Sequence, residues 1–304
     1  MTEGALQPSS MTTPVAEFDY PAIRRDMLVR RIGKLGFYLN ALVSYFFLWA
    51  PILILAIFSF NDSRSVSSWG GFTTNWYNQI LFDTESQFTS GMFDALRNTL
   101  FVGVISTLLT TILGTTVALA LERGSFPGKR LVDAILYLPI VIPEITQAVS
   151  LAVFFKFLFD VYHNLTGVQV TYGFGTIIIG HVVFSVSFLV IVVRARLKDM
   201  NPRLEEAARD LGANEWRTFW RVTFPLILPG VIAGALLAFT LSLDDYIVTF
   251  FNNGVGTSTL PIFVYSSLRQ RISPEINAVS TLMLVASMLL VGFSLTIQNR
   301  GARR

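Results

Sequence analysis

Ionisable side chains inside long apolar segments are the residues of this sequence best suited to chemistry. Glu144, Asp244 and Asp245 are carboxylates in such segments, and Tyr246 directly follows the two aspartates. A charge at the centre of a bilayer costs about 2.5–3.5 kcal/mol on insertion scales, so each carboxylate needs a reason to be there. Carboxylates accept hydrogen bonds from ammonium groups, and aromatic faces attract cations. These four residues therefore predict a pathway lining for a cationic solute.

Other roles remain open for the same polar residues. Glu144 also suits a hydrogen bond that packs two helices, and the two aspartates also suit a position near the outer membrane interface. His181 is interpreted as a hydrogen-bonded packing residue. The chain has no cysteine and only two histidines, so it lacks thiolate nucleophiles and thiolate metal ligands. We therefore predict no catalytic residue, no metal site and no intramembrane enzyme.

The elements that must position these residues are membrane helices. Hydrophobic residues make up 52% of the chain and charged residues 14%, which is a membrane composition. A helix needs about 20 apolar residues to cross a bilayer, whereas a barrel strand needs only about 10. Six segments are long enough for helices: Phe37 to Phe60, Leu96 to Leu121, Leu131 to Phe159, Phe174 to Leu197, Pro225 to Phe251 and Ile276 to Ile297. The expected fold class is an all-α membrane protein with about six transmembrane helices.

The distribution of Lys and Arg predicts the orientation of the chain. Basic residues cluster before the first segment, between the second and third, after the fourth, and at the C-terminus. Because basic loops stay on the cytoplasmic side, both termini are expected in the cytosol. We divide the chain into a cytosolic tail, residues 1–35, and a transmembrane domain, residues 36–304. The scattered basic residues do not indicate a nucleic-acid site.

The longest inner loop, at about residues 198–224, has the pattern of a bent helical element. Asn201-Pro202 is a favourable helix start, and Glu205 and Glu206 fall in the first turn, where acid complements the helix dipole. Gly212 is expected to end this helix, and residues 213–222 to begin another. Pro225 then opens the fifth segment. The loop is predicted to be a helix-glycine-helix elbow joined directly to a transmembrane helix.

The elbow also carries a spaced motif. It resembles the cytoplasmic signature of the permease subunits of type I, methionine-importer-like ABC importers, which reads Glu-Ala-Ala, three residues, Gly, nine residues, Ile, one residue, Leu-Pro. The matching positions are Glu206, Ala207, Ala208, Gly212, Val222, Phe224 and Pro225. Only Val222 and Phe224 depart from the signature, and both remain apolar. An elbow lying on the membrane surface without a partner is the alternative.

Further segments resemble the spermidine/putrescine permeases of this group: residues 242–246, 259–261 and 273–278. The resemblance implies a bacterial inner-membrane importer, most simply for a polyamine. It implies a solute-binding protein outside, a second homologous permease, and cytosolic ATP-binding subunits. The elbow would be the coupling helix, and ATP and magnesium would bind the ATPase, with no cofactor in this chain. A different cargo and a secondary transporter remain the alternatives.

Overall fold

A computed structural model describes residues 20–63, 68–83, 86–270 and 274–302 of the chain. The chain divides into two compact units, residues 1–54 and 55–304. The described part of the first unit belongs to one helix, α1, Tyr20–Phe58. This helix includes the second half of the predicted tail, while residues 1–19 lie outside the described residues. The tail boundary at residue 35 stays a prediction.

The second unit is helical throughout most of its described residues. It contains α2 Asn75–Phe82, α3 Gln87–Arg123, α4 Lys129–Val141, α5 Glu144–Thr166, α6 Phe174–Asp199, α7 Arg203–Asp210, α8 Glu215–Thr218, a π-helical turn Phe219–Thr223, α9 Phe224–Asp244, α10 Ile247–Asn252, α11 Leu260–Gln270 and α12 Pro274–Ala302. Within the described ranges, extended pairing is limited to a bridge between Asn61 and Phe72.

Six helices in the described part of the chain are long and apolar enough to cross a membrane. They are Arg30–Phe58, Phe88–Arg123, Glu144–Thr166, Phe174–Asp199, Glu215–Asp244 and Pro274–Phe293. Each overlaps one of the six predicted segments. The predicted fold class, an all-α membrane protein with six spans, is confirmed.

The third predicted segment is not one helix, which corrects the expectation. Helix α4 ends at Val141, Ile142 is extended with ψ 132°, and α5 begins after Pro143. Proline has no N–H and disfavours a helical residue before it, so the break falls at this point. The Gln147 side-chain amide donates to the carbonyl oxygens of Pro139 at 2.6 Å and Ile142 at 2.8 Å. The break therefore leaves neither of these two carbonyls without a partner inside the membrane.

The fifth predicted segment is also interrupted. Helix α9 ends at Asp244, Asp245 is extended with ψ 124°, and the short helix α10 starts at Ile247. The two breaks lie near each other, because α10 packs on α5: the Asn252 amide donates to the Ala148 carbonyl at 3.3 Å. The two discontinuous helices thus pack together, and their breaks lie next to Glu144 and Asp245, which sequence analysis placed in continuous spans.

Close contacts between α3, α6 and α9 form the main core. Cβ atoms added to Gly230 and Gly234 of α9 would lie 2.9 Å from Arg196 Cβ and 3.1 Å from Leu189 Cγ of α6. One added to Gly114 of α3 would lie 2.6 Å from Leu189 Cδ2. Small residues let helix backbones approach closely in membranes. The buried cluster is Ala118, Leu121, Leu189, Val190, Val193, Leu197, Met200, Ile227 and Val231.

Candidate functional site

The inner loop folds as the predicted helix-glycine-helix elbow, which comprises α7, Gly212 and α8. The Asn201 side chain accepts a hydrogen bond from the Arg203 amide at 3.1 Å at the start of α7. Gly212 has φ +84°, a left-handed conformation in which glycine is favoured, and its amide donates to the Arg209 carbonyl. The Asn214 side chain caps the next helix by accepting from the Arg217 amide at 2.9 Å. This second helix begins at Glu215, two residues after the expected start.

The signature residues lie largely on the outer surface of the elbow. Glu206, Ala207 and Gly212 are exposed, and Ala208 is half-buried. Leu211 beside them is 89% exposed. An exposed leucine next to small residues offers a surface that another protein can approach closely. The outer face of the elbow therefore leaves an apolar side chain and small residues open to solvent.

A π-helical turn joins the elbow to the membrane helix α9. Residues Phe219–Thr223 form this turn, and α9 follows at once with Pro225 in its first turn. Aromatic rings pack along this connection: the ring centroids of Trp216 and Trp220 are 5.7 Å apart, and those of Trp220 and Phe224 are 4.9 Å apart. The packed rings stiffen the connection, so the elbow and α9 are mechanically continuous.

Glu205 holds the elbow to the bundle, a role that sequence reasoning missed. Its Oε2 lies 3.0 Å from Arg123 Nε at the end of α3, and its Oε1 accepts a hydrogen bond from Thr223 Oγ1 at 2.8 Å. Sequence analysis gave both Glu205 and Glu206 the same helix-dipole role. The structure separates them: Glu205 is buried and Glu206 is exposed. No sequence signal identified Arg123 as the partner.

A second ion network joins three helices at the same end of the bundle. Arg194 Nε of α6 donates to Glu122 Oε1 of α3 at 2.7 Å, and its Nη1 contacts Asp133 of α4. No sequence signal identified Arg194 as the partner of Glu122 or Asp133. Glu122 and Arg123, the last two residues of α3, therefore join two separate polar networks.

Asp245 is the most constrained of the predicted pathway residues. Its carboxylate is buried and accepts hydrogen bonds from the Val248 amide at 3.1 Å, the Thr249 amide at 2.8 Å and the Thr249 hydroxyl at 2.6 Å. His181 Nε2 lies 3.0 Å from Asp245 Oδ2. The carboxylate thus caps α10 and anchors it to α6.

His181 connects both sides of the second break. Its Nδ1 lies 2.6 Å from Ser242 Oγ, and its Nε2 lies 2.9 Å from Thr249 Oγ1. Ser242 Oγ is in turn 3.2 Å from Ser106 Oγ of α3. With the proton on Nε2, the ring donates toward Thr249 and Asp245, and Nδ1 accepts from Ser242. The interpretation of His181 as a hydrogen-bonded packing residue is confirmed.

The other three predicted pathway residues surround this cluster at different depths. Glu144, the half-buried first residue of α5, interacts with Asp245 and His181. Asp244 is exposed and accepts a hydrogen bond from Ser287 of α12 at 2.9 Å. The structure brings Glu144 and Asp245 together and directs Asp244 to another helix. Their role toward a solute stays a prediction.

Tyr246 contributes an aromatic surface next to the break. Its ring centroid lies 4.7 Å from that of Tyr265 on α11 and 5.4 Å from that of Phe250 on α10. Arg269 stands over the Tyr265 ring at 5.6 Å. Among the described residues, no group of three or more His, Cys, Asp or Glu side chains is arranged to hold a metal ion. The carboxylates and ring faces of this arrangement can bind cations by hydrogen bonds and cation–π contacts.

Comparison with known proteins relates the chain to bacterial import systems. Residues 110–304 match the family described as binding-protein-dependent transport system inner membrane component. The spermidine/putrescine transport system permease protein PotC of Escherichia coli (strain K12) is 38% identical over 262 residues, which cover 86% of this chain and 92% of PotC. The putrescine transport system permease protein PotI of the same strain is 38% identical over 253 residues, which cover 83% of this chain and 86% of PotI.

The fold is also found in a solved transporter. A subunit of a bacterial ABC transporter involved in the import of the acidic polysaccharide alginate superposes with a TM-score of 0.69. The match covers 91% of this chain and 99% of that subunit at 19% sequence identity. At this identity the likeness concerns the fold alone.

Proposed function

The chain belongs to the family of binding-protein-dependent transport system inner membrane components, and from this premise we propose that it is one permease of an ATP-driven importer of polyamines. The observation that supports a polyamine as the cargo is the 38% identity to PotC and PotI across more than four-fifths of the chain. The carboxylates and tyrosines at the helix breaks have the chemistry that an alkyl ammonium ion requires. Both termini are assigned to the cytosol, in accord with the basic inner loops.

The proposed pathway passes the two helix breaks. Glu144 and Asp245 interact there, Asp244 is exposed beside them, and the Tyr246 and Tyr265 rings pack nearby at an interplanar angle of 47°. Broken membrane helices place polar groups at mid-membrane where they line a cavity. In this proposal Asp245 acts mainly by holding α10, because its oxygens are already engaged. Glu144, Asp244 and Tyr246 would meet the solute.

The cargo is tested by uptake and competition. Cells that express the chain with the partner genes of its host are expected to accumulate labelled putrescine or spermidine. Excess unlabelled polyamine should abolish this uptake, whereas an unrelated amino acid or inorganic anion should leave it unchanged. A control strain lacks only this chain. Normal uptake in the control strain, or competition by the unrelated solutes alone, contradicts the polyamine assignment. Uptake that survives ATP depletion but stops with an ionophore would indicate a secondary transporter.

The proposed partners are two cytosolic ATP-binding subunits, a second homologous permease and an extracytoplasmic solute-binding protein. ATP and magnesium would bind the ATPase subunits. The surface formed by Glu206, Ala207, Ala208 and Gly212 is proposed to dock on the ATPase, with Leu211 as an apolar contact. Closure of the ATPase dimer would move the elbow, and Pro225 at the start of α9 would carry the movement into the bundle as a rigid-body rotation.

Site-specific cross-linking tests this docking. The native chain has no cysteine, so Ala207→Cys introduces a single thiol on the elbow. We expect a bifunctional thiol-amine reagent to join this residue to the ATPase subunit, because the proposed interface brings the two proteins into contact. Leu165→Cys is the matched control, since Leu165 is 81% exposed at the other end of the bundle. Products with lipid alone at residue 207, or equal yields of ATPase product from both positions, would exclude the elbow as the docking surface.

A further inference from the structure

We propose that Glu205 is the positioning residue that clamps the elbow to the bundle, so that movement of α7 is passed directly to α3 and α9. This inference rests on the proposed coupling function and assigns it a mechanical link. Glu205 lies outside the signature, which begins at Glu206. The two adjacent glutamates thus have separate tasks: Glu206 faces outward with the docking surface, and Glu205 faces inward with the bundle.

The burial pattern of α7 identifies Glu205 as its main attachment. This helix has eight residues, and Glu205 is its one buried residue. The side chains of Leu204, Glu206 and Ala207 on either side are exposed. A helix this short gains little stability from its own hydrogen bonds, so tertiary contacts must hold it in place. For α7 the strongest of these contacts is a carboxylate and not an apolar side chain.

Both oxygens of that carboxylate are used, and each reaches a different helix. Oε2 contacts Arg123 at 3.0 Å, and Oε1 accepts from Thr223 at 2.8 Å. Arg123 is the last residue of α3, and Thr223 is the last residue of the π-helical turn before α9. Charge-assisted hydrogen bonds are short, directional and about twice as strong as neutral ones. A displacement of α7 is therefore transmitted to two transmembrane helices at once.

The clamp is continuous with the neighbouring ion network. Arg123 follows Glu122, and Glu122 is bonded to Arg194 of α6, which also contacts Asp133 of α4. A force applied at Glu205 thus reaches α3 and α9 directly, reaches α6 through one further ion pair, and reaches α4 through a second. Contiguous packed and ion-paired networks of this kind can carry energetic coupling between distant sites. The elbow is consequently linked to α4, the helix that precedes the first break.

A charge exchange tests the clamp in the assembled importer. Arg123→Glu and Glu205→Arg each place like charges together, and the double variant restores an opposite pair in reversed order. The measurement is solute imported per ATP hydrolysed, in vesicles that contain the complete importer. Each single variant is expected to lower this ratio by about tenfold, within the range of typical coupling free energies. The double variant is expected to recover at least half of the loss. Efficient cross-linking from Ala207→Cys should persist in all three, because the outer docking surface is unchanged.

Thr223→Val tests the clamp even if the charge variants fail to insert into the membrane. It removes one hydrogen bond to Glu205 while nearly preserving the shape of the side chain, and it is expected to lower the import ratio with normal membrane levels. An unchanged ratio in this variant, or single charge variants whose loss the double variant does not repair, overturns the clamp. Failure of the Ala207→Cys chain with an intact clamp to cross-link to the ATPase, or failure of the wild-type chain to import, would instead overturn the proposed function. If the wild-type chain imports and every clamp variant keeps a normal ratio of solute imported to ATP hydrolysed, the clamp is overturned and the proposed function stands.

Discussion

Asp245→Ala is expected to destabilise the folded protein by about 3 kcal/mol or more, because it leaves several buried hydrogen-bond donors without an acceptor and each such donor costs about 1–3 kcal/mol. The substitution leaves the amides of Val248 and Thr249 without their acceptor at the start of α10. It also leaves His181 Nε2 without its contact to the Asp245 carboxylate. A buried donor left without a partner costs its full desolvation free energy. Helix α10 should therefore detach from α6, and uptake should be lost with it.

The measurement is the thermal unfolding midpoint of the purified protein in detergent, together with its amount in the membrane. Asp244→Ala is the matched control, since this neighbouring carboxylate is exposed and held by Ser287 alone. Its effect on stability is expected to be about 1 kcal/mol or less, the usual net value of one hydrogen bond. Asp245→Asn should fall between the two, because the amide keeps one acceptor oxygen for the α10 cap. Equal destabilisation at positions 244 and 245 would contradict the assigned role of Asp245.

The two aspartates illustrate what could be predicted and what could not. Hydropathy was enough to place both residues in the fifth apolar segment, Pro225 to Phe251, but it did not show that the membrane helix ends at Asp244. The sequence could not reveal which of them is buried, because that depends on His181, which lies on another helix. The partner of Asp244, Ser287, is likewise on a helix distant in sequence. Local patterns fix the element, whereas tertiary contacts decide the role of each side chain.

The breaks in the third and fifth segments were missed for the same reason. Pro139 and Pro143 both lie in the third apolar segment, but proline kinks and proline breaks look alike in sequence. What makes a full break tolerable is the Gln147 side chain, which satisfies the carbonyls of Pro139 and Ile142. At the second break Asp245 does so for the amides that begin α10. Hydropathy indicates whether a segment can enter the membrane. It does not show whether a side chain will form the hydrogen bonds that the backbone loses at a break.

The elbow was predicted more completely because its determinants are local. Asn201, Pro202 and Gly212 act on the backbone within a few residues of themselves, and a left-handed residue at Gly212 is a short-range requirement. Glu205 differs, since its partners are Arg123 and Thr223. Glu206 lies in the first turn of α7, as its spacing predicted. Glu205 lies there too, but it also contacts residues that are distant in sequence, which its spacing did not indicate.

Gly254→Ala is expected to destabilise the folded protein by about 1–3 kcal/mol or more, the cost of overpacking a filled site. The site is the contact between the loop after α10 and the loop before α6. A Cβ atom at Gly254 would lie 1.9 Å from the Tyr172 carbonyl oxygen and 2.6 Å from its carbonyl carbon. Both atoms belong to the backbone, so no side chain can rotate to relieve the clash. The loop after α10 must then move away from the loop before α6. Gly173→Ala is the control in the same contact, because Gly173 has extended φ and open space around its Cβ position. Its effect should stay within about 0.5 kcal/mol.

This loop contact is a second support for the junction that Asp245 caps. Thr176 at the start of α6 donates to the carbonyl of Asn252 at the end of α10 at 2.6 Å, next to Gly254. Helices α6 and α10 are therefore joined at two places, by Thr176 at the ends of the helices and by His181 at the break. Separation of the loops should weaken both joints, so Gly254→Ala is expected to lower the unfolding midpoint and uptake together. A variant with a normal midpoint and lost uptake would show that the loop serves transport directly and not by holding the two helices together.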